Sequence, residues 1–283
     1  MRAILLGLAV VVVVGCAPKP PACPVDPSAT LGPPFLWRVQ KAGGRGPIVW
    51  LYGTVHDAGI AAVPKAALDA LAGAPRFASE LGESEPDPDK LRELSRIKRG
   101  PGIDQQLATD DWWDLRDALR GKIREDDLKR VRPWYALILM NRRAAGKIVA
   151  MDSELATKAR ARHVPIDGLE SWDVQLAALD ASVTIDDLTA AIRSRHTMHC
   201  AYSGLRATYD AGDLVAMEPL LVIPRTAERM LYARNRAWLP KLEAYLANGG
   251  AFVAVGLGHM IGDQGLPALL TKAGYSVERV TSR

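Results

Sequence analysis

The sequence predicts an α/β fold in which a mixed central sheet is assembled from the N- and C-terminal segments and flanks a mostly helical middle. Three observations carry this. Strand-like apolar runs lie near both ends, at residues 48–52 and 251–255. Each breaks into the same step, Gly53-Thr54-Val55-His56 and Gly256-Leu257-Gly258-His259. Between them, from about 87 to 146, polar helix starts and helical apolar spacing replace strand patterns. A polar side chain just past a strand that stops at glycine sits at the carboxyl end of that strand, where open α/β sheets build their sites.

The elements follow in order. Residues 35–41 and 48–52 are apolar runs joined by Ala42-Gly43-Gly44-Arg45-Gly46-Pro47, a hairpin signature. Pro64 opens a helix through Leu71, and Arg76-Phe77-Ala78-Ser79-Glu80-Leu81 returns as a strand. A right-handed crossover would set that strand parallel to the first, placing His56 and Glu80 at carboxyl strand ends. Helices are expected to start at Asp87, Asp110 and Glu125 and to run over residues 134–145. Further helices are expected at 152–163, 171–180, 187–209 and 226–247, with a short strand and loop at 164–170. The last helix offers Met230, Leu231, Trp238, Leu242 and Leu246 for one face. The chain closes with strand 251–255, helix 266–272 stopped by Gly274, and strand 275–280.

Of 283 residues, 48% are hydrophobic and 24% charged, the balance of a globular chain long enough to bury a full core. Lys plus Arg number 36 against 32 Asp plus Glu. The basic residues fall in scattered helical groups such as Arg92, Arg96, Lys98 and Arg99, without a basic stripe interleaved with aromatics, so no nucleic-acid partner is expected.

The first 15 residues have one early positive charge, an apolar run and a small-residue ending, as in a secretory signal; the run is too short to span a bilayer. Val13-Val14-Gly15-Cys16 resembles a bacterial lipobox, which implies cleavage before Cys16 and lipid attachment there. The chain is then expected to be exported to the bacterial cell envelope and held on a membrane, at a periplasmic or outer face. Residues 16–34 read as a Pro-rich tether and residues 35–283 as the domain. With Cys16 assigned to lipid, Cys23 and Cys200 remain as one possible disulfide, two free thiols being the alternative.

Two histidines and a carboxylate make a common catalytic metal set when coordination positions stay open to water. His56, Glu80 and His259 supply it if their strands are neighbours, and Gly53, Gly256 and Gly258 would leave room for a ligand beside the imidazoles. Other patterns carry less. His196, His199 and Cys200 share a helical face but have no evident distant fourth ligand. Gly256-x-Gly258-x-x-x-Gly262 mimics a dinucleotide fingerprint, yet only one strand and no acidic ribose partner follow. Neither Gly-x-Ser-x-Gly nor His-Glu-x-x-His occurs.

Taken together, Leu51-Tyr52-Gly53-Thr54-Val55-His56, Ser79-Glu80-Leu81, Leu231-Tyr232-Ala233-Arg234-Asn235 and residues 255–266 around Gly256-Leu257-Gly258-His259 resemble the TraB/GumN family, related to the Tiki Wnt-cleaving metalloproteases. The likeness covers most of residues 35–283. It implies a cleft where His56, Glu80, Arg234, Asn235 and His259 converge. The implied roles are a divalent metal (Mn, Co or Zn) on His56 and His259, with Glu80 as third ligand or base. Arg234 would hold a substrate carboxylate or an oxyanion, and Asn235 would orient water or ligand. A peptide or protein would be the substrate; a non-catalytic lipoprotein that captures a peptide, metal or haem is the alternative. Gly168-Leu169-Glu170-Ser171 also resembles a family segment, which makes Glu170 a pocket residue or part of a helix start, and Asp152 is similar. The sequence leaves the oligomeric state open.

Overall fold

The structure, a computed structural model, describes Cys23 and residues 31–56, 58–144 and 150–282. The expected signal segment, the lipid-bearing Cys16 and most of the tether lie outside the described residues. The sheet has six strands: β1 (Leu36–Lys41), β2 (Val49–Thr54), β3 (Phe77–Ser79), β4 (Ile166–Gly168), β5 (Ala251–Gly256) and β6 (Tyr275–Arg279), in the order β4-β3-β5-β2-β1-β6. β4, β3, β5 and β2 are mutually parallel, and β1 runs antiparallel to both β2 and β6. The expected mixed sheet from both chain ends is therefore present. β2 and β3 are parallel as expected, with β5 inserted between them.

Sequence explains the placement. In β5 the run Ala251-Phe252-Val253-Ala254-Val255 is wholly buried, as a strand covered on both faces requires. The main core joins this strand to Leu51, Tyr52 and Phe77 from neighbouring strands and to Trp238, Leu242 and Leu246 from the helix Ala233–Ala247. A second cluster, built on Ile103, Leu115, Leu119, Leu128 and Ile192, makes the helical middle a smaller core of its own.

Helix boundaries follow their caps. Asp87 accepts hydrogen bonds from the backbone N–H groups of Asp89 and Lys90, with Pro88 in the first turn, so the helix starts where predicted. The single helix expected over 187–209 is two, Ile185–Ser194 and Met198–Asp210. Asp187 is not a start: it closes a capping box with Thr184. The helix expected over 226–247 also divides, into Pro224–Ala227, a π-helical turn Glu228–Tyr232, and Ala233–Ala247. Ser171 precedes the helix Trp172–Ser182 but makes no side-chain cap bond. Cys23 and Cys200 are joined as a disulfide.

Candidate active site

The four parallel strands end level with one another. Thr54 of β2 pairs with Gly256 of β5, Ser79 of β3 with Ala254 of β5, and Ser79 with Gly168 of β4. Each strand then releases a polar residue from the same sheet edge: Glu170 after β4, Glu80 after β3, His259 after β5 and His56 after β2. The Glu170 N–H donates to the Glu80 carbonyl at 2.9 Å, which fixes these two neighbours side by side.

Three of the four converge on Arg234. Its Nε donates to both Glu170 oxygens at 3.0 and 3.1 Å, and its Nη2 to Glu80 Oε2 at 2.5 Å and Glu170 Oε1 at 2.6 Å. Nη1 donates to the Met230 carbonyl at 2.7 Å and lies 3.3 Å from His259 Nε2. These bonds use all five guanidinium N–H groups. Arg234 is thus a buried clamp on two carboxylates, not a donor held free for a substrate, and it sits directly after the π-helical turn.

Asn235 sets the orientation of His259. Its Nδ2 donates to the carbonyls of His259 and Gln264 at 3.1 and 2.9 Å, so its Oδ1 is the acceptor facing His259 Nδ1 at 2.6 Å. The imidazole therefore carries its proton on Nδ1 and turns the Nε2 lone pair toward Arg234 and toward Glu80 Oε1, 3.7 Å away. Trp238, one helical turn after Arg234, closes the floor. Its ring lies 4.4 Å from that of His259, and its Nε1 donates to Glu170 at 3.2 Å.

Burial works against the Glu80 carboxylate, but His259, Arg234 and the Gly256 N–H outweigh it and hold the group at about 2. Burial pushes His259 the other way for its class, down to about 4, against the pull of Glu80 and with the push of Arg234. At neutral pH Glu80 is ionised and His259 neutral. Two carboxylates then face one guanidinium, leaving one negative charge in a buried pocket.

The His259 value is depressed on folding, so its contribution is complete above about pH 6.5 and falls away as the unfolded chain protonates between about 6.5 and 4. The loss should reach about 3 kcal/mol across that window. Urea unfolding at pH 7 and pH 4.5 measures it; His259→Gln should remove this part of the acid limb.

His56 is not brought into the cluster. It is exposed, with 76% of its side chain accessible, and its Nδ1 lies 3.3 Å from Asp152 Oδ2. Among the described residues, His56, Glu80 and His259 do not form a three-ligand group. Near this end two polar atoms are buried without a hydrogen-bond partner, Asp152 Oδ1 and Thr54 Oγ1. The glycines also separate. A Cβ on Gly256 would stand 3.4 Å from Glu80 Oε1 and 3.9 Å from the His259 ring, so this glycine keeps the pocket open. At Gly53 it would strike Leu257 at 2.6 Å, and at Gly258 it would press Leu231 at 3.2 Å; these two make room for packing. Gln175, absent from the sequence-derived set, donates to Glu80 Oε2 at 2.9 Å.

A family model described as the TraB/PrgY/gumN family matches residues 35–279, most of the chain. The chain belongs to the TraB/PrgY/gumN family. No curated protein matches it, and no solved structure does. The matched stretch of this TraB/PrgY/gumN member contains every residue of the cluster and leaves the expected signal segment and tether outside.

The donor set at His259 and Glu80 fits a divalent cation. The pocket holds one uncompensated negative charge, and the Nε2 lone pair and a carboxylate oxygen lie 3.7 Å apart. The Nδ1–H is anchored on a side-chain oxygen, the arrangement that orients metal-binding histidines. A cation there would replace the Arg234 Nη1 hydrogen bond to Nε2.

Proposed function

We propose that this TraB/PrgY/gumN protein is an exported, lipid-anchored, metal-dependent hydrolase that cleaves a peptide or protein substrate at the carboxyl edge of its sheet. The observation that carries the reading is the His259–Glu80 pair: an imidazole whose Nδ1–H is anchored on Asn235 and whose Nε2 lone pair, shared only with a 3.3 Å contact from Arg234 Nη1, lies 3.7 Å from a carboxylate ionised down to about pH 2.

His259 and Glu80 would hold the ion, and a divalent metal would supply Lewis-acid activation of a water or of the substrate carbonyl there. Two protein donors leave much of the coordination shell to water, which suits Mn better than a four-coordinate Zn site. Glu80, with so little affinity for a proton, acts as a ligand rather than as the general base. Arg234 keeps Glu80 and Glu170 side by side, and Asn235 keeps His259 in one tautomer. Gly256 leaves a substrate backbone room to approach Glu80. His56, exposed and oriented by Asp152, is the group that moves protons on the open side.

Cleavage of a peptide library by the domain from residue 31 onward tests this. Expected are Mn-stimulated cleavage, loss on chelation, and a loss of about 100-fold or more in His56→Ala with bound metal retained. Retained metal with no cleavage of any peptide by the unmodified domain would move the assignment to a non-catalytic binding lipoprotein.

A further inference from the structure

The helix Leu214–Leu221 has an apolar outer face. Val215, Ala216, Pro219 and Leu220 follow helical spacing and are exposed, with Ile223 exposed just past the end; the exposed carboxylates of Asp213 and Glu218 stand at the two edges of this stripe. Val215 is 80% accessible, Ile223 54% and Leu220 48%, while Met217 alone is fully buried beneath them. A contiguous exposed apolar stripe is an interaction surface. The inner side of the same helix reaches the turn that carries the site: the Leu221 carbonyl lies 3.6 Å from where a Cβ on Gly258, the residue before His259, would sit.

The tether identifies what covers it. The stripe's helix packs on its predecessor, Met198–Asp210. The tether is fastened to that predecessor twice, by the Cys23–Cys200 disulfide near its start and by the Gly32 N–H on the Asp210 carbonyl, at 2.9 Å, at its end. Cys16 is only seven residues from Cys23, a span of at most about 24 Å. Without the disulfide the first fastening among the described residues is Gly32, 16 residues from Cys16, and the leash lengthens to at most about 55 Å. We propose that the disulfide is a short leash that seats the Val215–Ile223 stripe on the lipid surface, holding the lip of the catalytic cleft against the membrane. This inference rests on the lipoprotein reading of Cys16. The helix is far too short to span a bilayer, so it would lie in the interface with its apolar face down. Among the described residues no helix is long and apolar enough to cross a membrane.

The test is hydrogen exchange on phosphatidylethanolamine/phosphatidylglycerol vesicles, using the mature lipidated protein and, separately, a chain from residue 17 whose N-terminal His tag binds nickel-chelating lipid. On both, amides of residues 214–223 should exchange about ten-fold more slowly than in vesicle-free solution. The triple variant V215E/L220E/I223E should lose that protection while remaining anchored, and C23S/C200S should lose most of it. Unchanged exchange at 214–223 on both kinds of vesicle would overturn the proposal, as would protection by an apolar peptide alone. Absence of lipid on Cys16 by mass spectrometry, with protection intact on the nickel vesicles, would overturn the lipoprotein reading and leave the docking face standing.

Discussion

Arg234→Ala is expected to destabilise the protein by about 3–5 kcal/mol, because it removes the one guanidinium that neutralises two buried carboxylates. Glu80 and Glu170 would be left adjacent, held by the short backbone contact between their strands, with like charges and no counter-ion. The melting temperature should fall by about 10 °C. Arg234→Lys should recover only part of the loss, since an ammonium has three donors where the native group uses five. Thermal unfolding of the three proteins at pH 7 measures both effects. A fall of only a degree or two in Arg234→Ala would mean that the carboxylates are not held as a charged triad.

Glu80→Gln separates site from scaffold. Arg234 and Glu170 remain as a one-to-one pair, and the excess negative charge disappears. Three donors point at the Glu80 oxygens, from Gly256, Arg234 and Gln175, so an amide turns its NH2 toward at least one of them. The cost should be about 1–2 kcal/mol, well below that of Arg234→Ala. Metal affinity, by contrast, should fall by about 100-fold or more, since a first ligand contributes more than the outer partners that already count for 10–100-fold. Calorimetric titration with Mn alongside thermal unfolding gives the two numbers. Equal stability loss in both variants, with unchanged Mn affinity in Glu80→Gln, would contradict the assignment.

Much of this arrangement was legible in the residues. The apolar runs that end in glycine located β2 and β5, and the helix between Pro64 and Leu71 made β3 parallel to β2, so Glu80 and His259 were placed by strand logic alone. Arg234, Asn235 and Glu170 entered through the family resemblance, and the structure puts all three in contact with one another or with His259. What the pattern could not convey is direction. β2 ends at Thr54 and His56 stands exposed in the turn beyond it, whereas Gly258 and His259 are both buried in the short helical turn that follows β5. Two identical Gly-x-x-His steps therefore aim their imidazoles differently. The π-helical turn before Arg234 has no sequence signature, and Gln175 lies on a different helix with no periodic relation to Glu80. Trp238 was visible only as an apolar position; its spacing of four from Arg234 held the clue that both share one helix face.

On the proposed function, His259 and Glu80 are the metal-binding pair at the sheet edge, and His56 stands outside the coordination set. Metal content of the purified domain after exposure to Mn and removal of free ion tests it most directly, measured by mass spectrometry for the native chain, His259→Ala and His56→Ala. Expected are one ion per native chain, one in His56→Ala and almost none in His259→Ala. An ion retained in His259→Ala would contradict this assignment.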